Sequence, residues 1–246
     1  MQDNVFEVIN KDSDCELILT CEHAGNEIPN EYDNLGLSGQ DLNRHIARDK
    51  GGKEITELLA KKLGCFAIMG KYSRLLIDLN RRENEDELIV EVSDGTIIHK
   101  NMNLSANEIK YRVNRFYRPY YEAIEEQISR LQAKGKKPII FSIHSYTPQL
   151  RGGDYRPWQA GVLWHKPTKM ASFMYNELVK TDKVIGENVP YDLRKYNTGA
   201  VVVCGEEKGL DYALIEIRDD EFDDLDKGVN EWADILADIL KKYISN

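Results

Sequence analysis

The chain lacks the features that mark several common functional classes. Its 246 residues hold four cysteines, Cys15, Cys21, Cys65 and Cys204, with no CxxC pair among them. That pattern argues against a disulfide framework and suits free thiols in a reducing compartment. No apolar run approaches the ~20 residues needed to span a bilayer. Neither GxGxxG nor GxxxxGK[ST] occurs, so the common nucleotide-binding loops are not supported. Basic charge is also short: 33 Lys and Arg against 42 Asp and Glu give a net charge of −9. Nucleic acid and anionic membrane are therefore poor partners. The opening stretch MQDNVFEVINKDSD has no basic start, apolar middle and small-residue cleavage site. The expectation is a cytoplasmic protein. No repeat, low-complexity segment or Pro/Gly/Ser linker divides residues 1–246, which read as one domain.

What is present is alternation. Short runs rich in Ile, Val and Leu predict strands at Leu17–Thr20, Cys65–Met69, Leu75–Leu79, Ile139–Ile143, Ala160–Leu163, Ala200–Val203 and Ala213–Ile217. They show little strict alternation, as expected for strands covered on both faces. Helical spacing predicts helices over Gly51–Leu63, Ala106–Ala133, Thr168–Lys180 and Asp224–Tyr243. Ser105 three residues before Glu108 is a capping-box start for the second. Val229, Trp232, Ile235, Leu236, Ile239 and Leu240 give the last one an apolar stripe. Strands alternating with helices predict a three-layer α/β fold around a mostly parallel or mixed sheet.

In open α/β sheets ligands lie outside the carboxyl ends of the strands, and here those ends carry chemistry. Cys-Glu-His follows Thr20, Asn80-Arg81-Arg82 follows Leu79, His144-Ser145-Tyr146 follows Ile143, and Glu216 and Arg218 close "YALIEIRDD". His23 and His144, with Asp49 of "NRHIARDKGG", make the His/His/carboxylate set of hydrolytic zinc sites, in which a fourth position is left for water. One zinc ion is expected, with Glu216 taking the proton of the water and passing it to the leaving amine. The third ligand stays open. His45 lies four residues before Asp49, on the same face of a helix, and Glu22 adjoins His23; either can be ligand or support. Cys21 is read as packing, His99 and His165 as structural. The turn Ala24-Gly25-Asn26 is expected to let substrate approach the metal. Arg74, Arg81, Arg82 and Arg218 suit a bidentate clamp on a carboxylate, which implies a small-molecule substrate with a free carboxylate. The competing reading pairs these arginines internally with Asp78, Asp94 or Asp219.

Six stretches, "LTCEHAGNEIP", "HIARDKGG", "SRLLIDLNR", "SDGT", "IHSYTP" and "EIRDD", run in order from Leu19 to Asp220. Together they resemble the motif set of the N-formylglutamate amidohydrolase family. The resemblance implies a phosphorylase/hydrolase-like fold, similar in its core to zinc carboxypeptidases and aspartoacylases. It also implies zinc-dependent hydrolysis of a non-peptide amide, with N-formyl-L-glutamate giving formate and glutamate in the namesake members. By motif, His23, Asp49 and His144 would hold zinc, Glu216 and Arg218 would be catalytic, and Arg74, Arg81, Asn80 and Arg156 would meet the substrate. The segments Gly153–His165 and Gly186–Gly199 are expected as loops over the site, carrying Tyr155, Arg156, Trp158, Asn188, Tyr191 and Tyr196. A peptide or cell-wall amide is the alternative substrate, and a silent binding protein on the same scaffold is the alternative function. Assembly into a homo-oligomer stays open.

Overall fold

In the computed structural model, which describes residues 4–196 and 199–245, nine strands form among the described residues. In chain order they are Phe6–Ile9 (β1), Leu17–Cys21 (β2), Phe66–Gly70 (β3), Val92–Ser93 (β4), Thr96–Ile97 (β5), Ile139–Tyr146 (β6), Ala160–Leu163 (β7), Ile185–Glu187 (β8) and Asp211–Arg218 (β9). β4 and β5 make a separate hairpin, and the other seven form one sheet in the order β1-β3-β2-β6-β9-β7-β8. β3, β2, β6 and β9 run parallel, while β1 and β7 are antiparallel to their inner neighbours. The sheet is therefore mixed. β2, β3 and β9 are buried almost throughout, which explains why they read as unbroken apolar runs.

The helices are Gly52–Leu63 (α1), Ala106–Arg112 (α2), Arg118–Ala133 (α3), Lys169–Leu178 (α4) and Leu225–Ile244 (α5). β2 connects through α1 to β3 on one side of it, and β3 connects through α3 to β6 on its other side. Right-handed crossovers running in opposite directions put their helices on opposite faces, giving three layers. α5 packs along α1 and α4, led by the fully buried Trp232 and Leu236. The strand order reverses between β2 and β6. The crevice at such a reversal, outside the carboxyl ends, is where α/β sheets bind ligands. No helix among the described residues is long and apolar enough to cross a membrane.

Four expectations change. Leu75–Leu79 is not a strand, although Leu75, Leu76, Ile77 and Leu79 are all buried. Side chains replace a ladder there: Asn101 Nδ2 donates to the Leu75 carbonyl, Arg112 Nη1 to Leu76, and the Tyr121 hydroxyl to Leu79. Burial of this run therefore has no strand geometry behind it. Ala200–Val203 falls at the start of a π-helical turn, Val201–Gly205. The 106–133 helix is interrupted by a π turn at Val113–Tyr117. Pro119 explains it: proline has no N–H and its ring clashes with the carbonyl four residues back, so the preceding turn widens. Edge strands β1 and β8 were not foreseen, being short and partly exposed. The Ser105 cap forms as expected, accepting from the Glu108 N–H at 3.2 Å.

Arg112 is 1% exposed. Its guanidinium binds Asn101 Oδ1 at 2.8 Å and Glu108 Oε1 at 2.9 Å, besides the Leu76 carbonyl at 3.0 Å. Arg112→Leu strands two buried acceptors, so it is expected to lower stability by about 3 kcal/mol. The drop in urea midpoint measures it; a loss below about 0.5 kcal/mol would mean that the Leu75–Leu79 segment finds other donors.

Candidate active site

His23 follows β2, His144 lies near the end of β6 one strand away, and Asp49 stands just before α1. A backbone bond from Asp49 N–H to the His23 carbonyl, 2.9 Å, closes the segments on each other. Asp49 Oδ2 then receives His144 Nδ1 at 2.8 Å and the Ser145 N–H at 3.2 Å, and lies 3.4 Å from His23 Nδ1. The two imidazoles meet edge to face with ring centroids 4.9 Å apart. One atom from each of His23, Asp49 and His144 lies within 4.8 Å of the others.

The outer nitrogen of each ring faces another carboxylate. His144 Nε2 is 2.8 Å from Glu22 Oε2, and Glu22 also accepts from the Ser142 and Tyr120 hydroxyls. His23 Nε2 is 2.7 Å from Asp78 Oδ1. Asp78 is held in turn by Arg74 through two bonds, 2.7 and 3.1 Å, and by the Asn80 N–H at 2.8 Å. His23 Nε2 is bonded to Asp78 and His144 Nε2 faces Glu22 without a hydrogen bond, and both Nδ1 atoms turn towards Asp49. His23 Nδ1 has no hydrogen-bond partner although it is buried. A buried lone pair left beside another imidazole nitrogen and a carboxylate is the cradle a divalent cation completes, and two imidazoles with one carboxylate suit zinc.

The electrostatics run along the same chain. Burial would raise the Asp49 carboxyl, but the facing imidazoles outweigh it and hold it well below the usual range. Asp78 goes the same way through Arg74 and His23, and Glu22 through His144. His144 is pushed up by Asp49 and Glu22 against its burial. Glu216 moves oppositely. It is 7% exposed, and burial reinforced by nearby Asp49 lifts it to about 7, against the pull of His144 and His23. Its Oε2 has no hydrogen-bond partner. β6 and β9 pair with His144 in register with Glu216, so the carboxyl stands beside the imidazole at the same level of the sheet.

These groups open into a cavity of about 330 Å³ whose wall includes His23, Asp49, Arg74, Asn80, Arg81 and Glu216. That volume suits a small molecule. Arg74 Nη1 lies 3.9 Å from Asp49 Oδ1, and Arg81 Nε lies 3.7 and 3.9 Å from Glu87 and Glu85. One wall is the loop after β8, which carries Tyr191, Leu193 and Tyr196; residues 197 and 198 of the expected lid lie outside the described residues. Val189 seats the loop on the sheet at two paired glycines, its carbonyl on Gly161 and its side chain on Gly186. A Cβ on Gly161 would lie 1.7 Å from the Val189 carbonyl oxygen, and one on Gly186 would lie 2.0 Å from Val189 Cγ2.

Several expected residues stand elsewhere. Arg218 does not line the cavity: it bonds Asp220 at 2.7 Å and the Arg156 and Pro157 carbonyls, bracing the 153–158 loop. Arg156 sits behind the cavity wall, its guanidinium over the rings of Tyr146 and Tyr191 and bonded to the Tyr191 hydroxyl. His45 is on the wall but faces Asp94, 3.5 Å away, and no helix relates it to Asp49. Glu22 lies behind His144, outside the trio. Gly25 packs on the Lys71 carbonyl, and the 24–26 turn is not part of the cavity wall. Arg82 pairs with Glu207. Asp78 carries a role that the sequence reading gave only to an ion pair, and its spacing of four from Arg74 was the available signal. Tyr146 had no signal beyond its strand end, and Tyr191 none beyond its loop position.

Glu22→Gln removes the carboxylate that faces His144 and is expected to weaken binding of a divalent metal by the trio about 10–100-fold. Competition with a chelator of known affinity measures it; an unchanged affinity would reduce Glu22 to packing.

The family model for N-formylglutamate amidohydrolase matches residues 15–222 of the chain. An N-formylglutamate deformylase of Pseudomonas putida is 24% identical over 116 residues, 42% of this chain and 43% of that protein, so the chain matches under half of its relative. A solved gene product of Agrobacterium tumefaciens superposes with a TM-score of 0.94 at 28% identity, covering 99% of this chain and 96% of that one. A solved N-formylglutamate amidohydrolase from Ralstonia eutropha JMP134 follows at 0.74 and 18% identity, covering 98% and 97%, and shares the fold. Matched by the family model from residue 15 to residue 222, most of its length, the chain belongs to the N-formylglutamate amidohydrolase family.

Proposed function

We propose that the chain is a zinc-dependent amidohydrolase that cleaves the amide of a small N-acyl amino acid with a free carboxylate, the class to which N-formylglutamate belongs. The observation that carries this is Glu216: a buried carboxyl with an unpartnered oxygen, raised to about 7, beside a His23/Asp49/His144 cradle. A structural carboxylate would be bonded and depressed, as Asp78 is; a general base needs a free oxygen and a pKa near the working pH.

Zinc held by the trio would supply Lewis acidity to the substrate carbonyl and lower the pKa of a water. The chain's own groups do the rest. Glu216 takes a proton from the attacking water and delivers it to the nitrogen of the leaving amine. Arg74, kept charged and oriented by Asp78, faces Asp49 across the cavity and stabilises charge that grows on the amide oxygen. Arg81 and Asn80 hold the carboxylate. Arg156 and Arg218 act at one remove, by supporting Tyr191 and the 153–158 loop.

Purified protein is expected to carry about one equivalent of zinc, and His23→Ala less than about a tenth. Glu216→Gln should keep the metal and lose about a thousandfold in kcat; a near-normal rate would remove Glu216 from the base role. Stability gives an independent reading on metal-free protein. Glu216 is raised above its ordinary value near 4.5, so its charged form opposes folding, and that cost grows as pH rises from about 4.5 to about 7. Glu216→Gln should therefore stabilise the metal-free chain by on the order of 2 kcal/mol at pH 8 and change nothing at pH 4. Urea unfolding at the two pH values measures it.

A further inference from the structure

Beside Glu216 the cavity changes character. β7 and β9 pair antiparallel, with Gly161 opposite Glu216 and Leu163 opposite Leu214. Side chains two apart share a face, so Leu163 and Leu214 form an apolar step next to the carboxyl. Leu193, from the loop seated on Gly161, also lines the cavity. The three leucines are 1, 2 and 6% exposed. Tyr146 and Tyr191 continue this wall, edge to face at 6.5 Å. The Tyr146 hydroxyl is engaged, donating to the Trp158 carbonyl, and the Tyr191 hydroxyl accepts from Arg156, which leaves its O–H as the one donor on this wall among the described residues. Apart from that hydroxyl, what this side offers a ligand is hydrocarbon and ring, and among the described residues it carries no cation.

Charge points the same way. Among the described residues the lysines and arginines on the cavity wall are Arg74 and Arg81, against the carboxylates of Asp49, Glu87, Asp94 and Glu216. Arg74 is committed to Asp78 by two bonds. His45 is no reserve cation, since burial lowers its pKa. Arg81 can meet one substrate carboxylate, and a second would lie against Glu216 or the leucines, where burying an unpaired charge is costly. The geometry also assigns the apolar step to one half of the substrate. Glu216 protonates the leaving amine, so the α-carbon and side chain of the released amino acid lie next to Glu216.

Resting on the amidohydrolase reading, we infer that the pocket formed by Leu163, Leu193, Leu214, Tyr146 and Tyr191 receives an uncharged aliphatic or aromatic side chain of the released amino acid. The substrate class is then an N-acyl derivative of an apolar amino acid rather than of a dicarboxylic one.

Calorimetric titration of zinc-loaded E216Q with N-formyl-L-leucine, N-formyl-L-glutamate and N-formylglycine reads binding apart from turnover, and kcat/KM of the unaltered enzyme on the same three reads specificity. The leucine compound is expected to lead the glutamate compound about tenfold or more in both, the range a filled apolar pocket gives. L193A should weaken the leucine compound about fivefold or more and leave N-formylglycine unchanged. Equal or better binding of the glutamate compound, an equal effect of L193A on leucine and glycine compounds, or no binding of the leucine compound below about 5 mM, a free energy of about −3 kcal/mol, overturns the assignment. Should L193A fail to fold, the comparison of the three ligands on E216Q still decides. The amidohydrolase reading fails separately, if the unaltered zinc-loaded enzyme hydrolyses none of the three.

Discussion

The site depends on one buried carboxylate placed between two imidazoles. Asp49 draws His144 to 2.8 Å and His23 to 3.4 Å, and each ring is backed by a second carboxylate. The result is an alternating line, Glu22–His144–Asp49–His23–Asp78–Arg74, in which each member is oriented by its neighbours. Such a line is strong when complete and expensive when broken, because every group in it except the cavity-facing Arg74 is out of water. It also fixes which nitrogen of each ring is available. A metal cradle whose ligands are already turned inward needs little rearrangement to be used. Glu216 is the exception, a buried carboxyl with no bonded partner on one oxygen. That contrast separates what holds the site from what acts in it.

Topology delivers these groups to one place. β2 and β6 are neighbours at the reversal of strand order, so residues that are 121 positions apart come within ring contact without any long loop. Glu216 arrives on the next strand in register with His144. The fold thus supplies the site from strand ends and the turn before α1, while the loop after β8 walls the cavity above it.

Much of this was legible in the sequence, and the failures are instructive. His23, His144 and Glu216 could be placed because each ends an apolar run, and strand ends in α/β sheets face the ligand crevice. Leu75–Leu79 was misread because an apolar run reports burial alone; the donors that serve its carbonyls, Asn101, Arg112 and Tyr121, come from helical segments far along the chain. Arg156 and Arg218 were expected at the substrate because arginine is the usual carboxylate clamp. Whether a guanidinium faces a cavity or a loop carbonyl depends on which way a loop folds, and composition does not encode that. The His45–Asp49 spacing misled for a related reason: four residues share a face only if the segment is helical, and this one is a turn.

The loop after β8 rests on bare backbone. Gly161 and Gly186 admit Val189 so closely that any larger residue would lift the loop off the sheet. This anchor at Val189 is separate from Tyr191, Leu193 and Tyr196, which face the cavity. Seating of the loop and lining of the cavity therefore draw on largely different residues. A lineage that keeps the two glycines can rewrite the pocket's lining by point changes in a few loop positions while the strand-end chemistry stays in register beneath it.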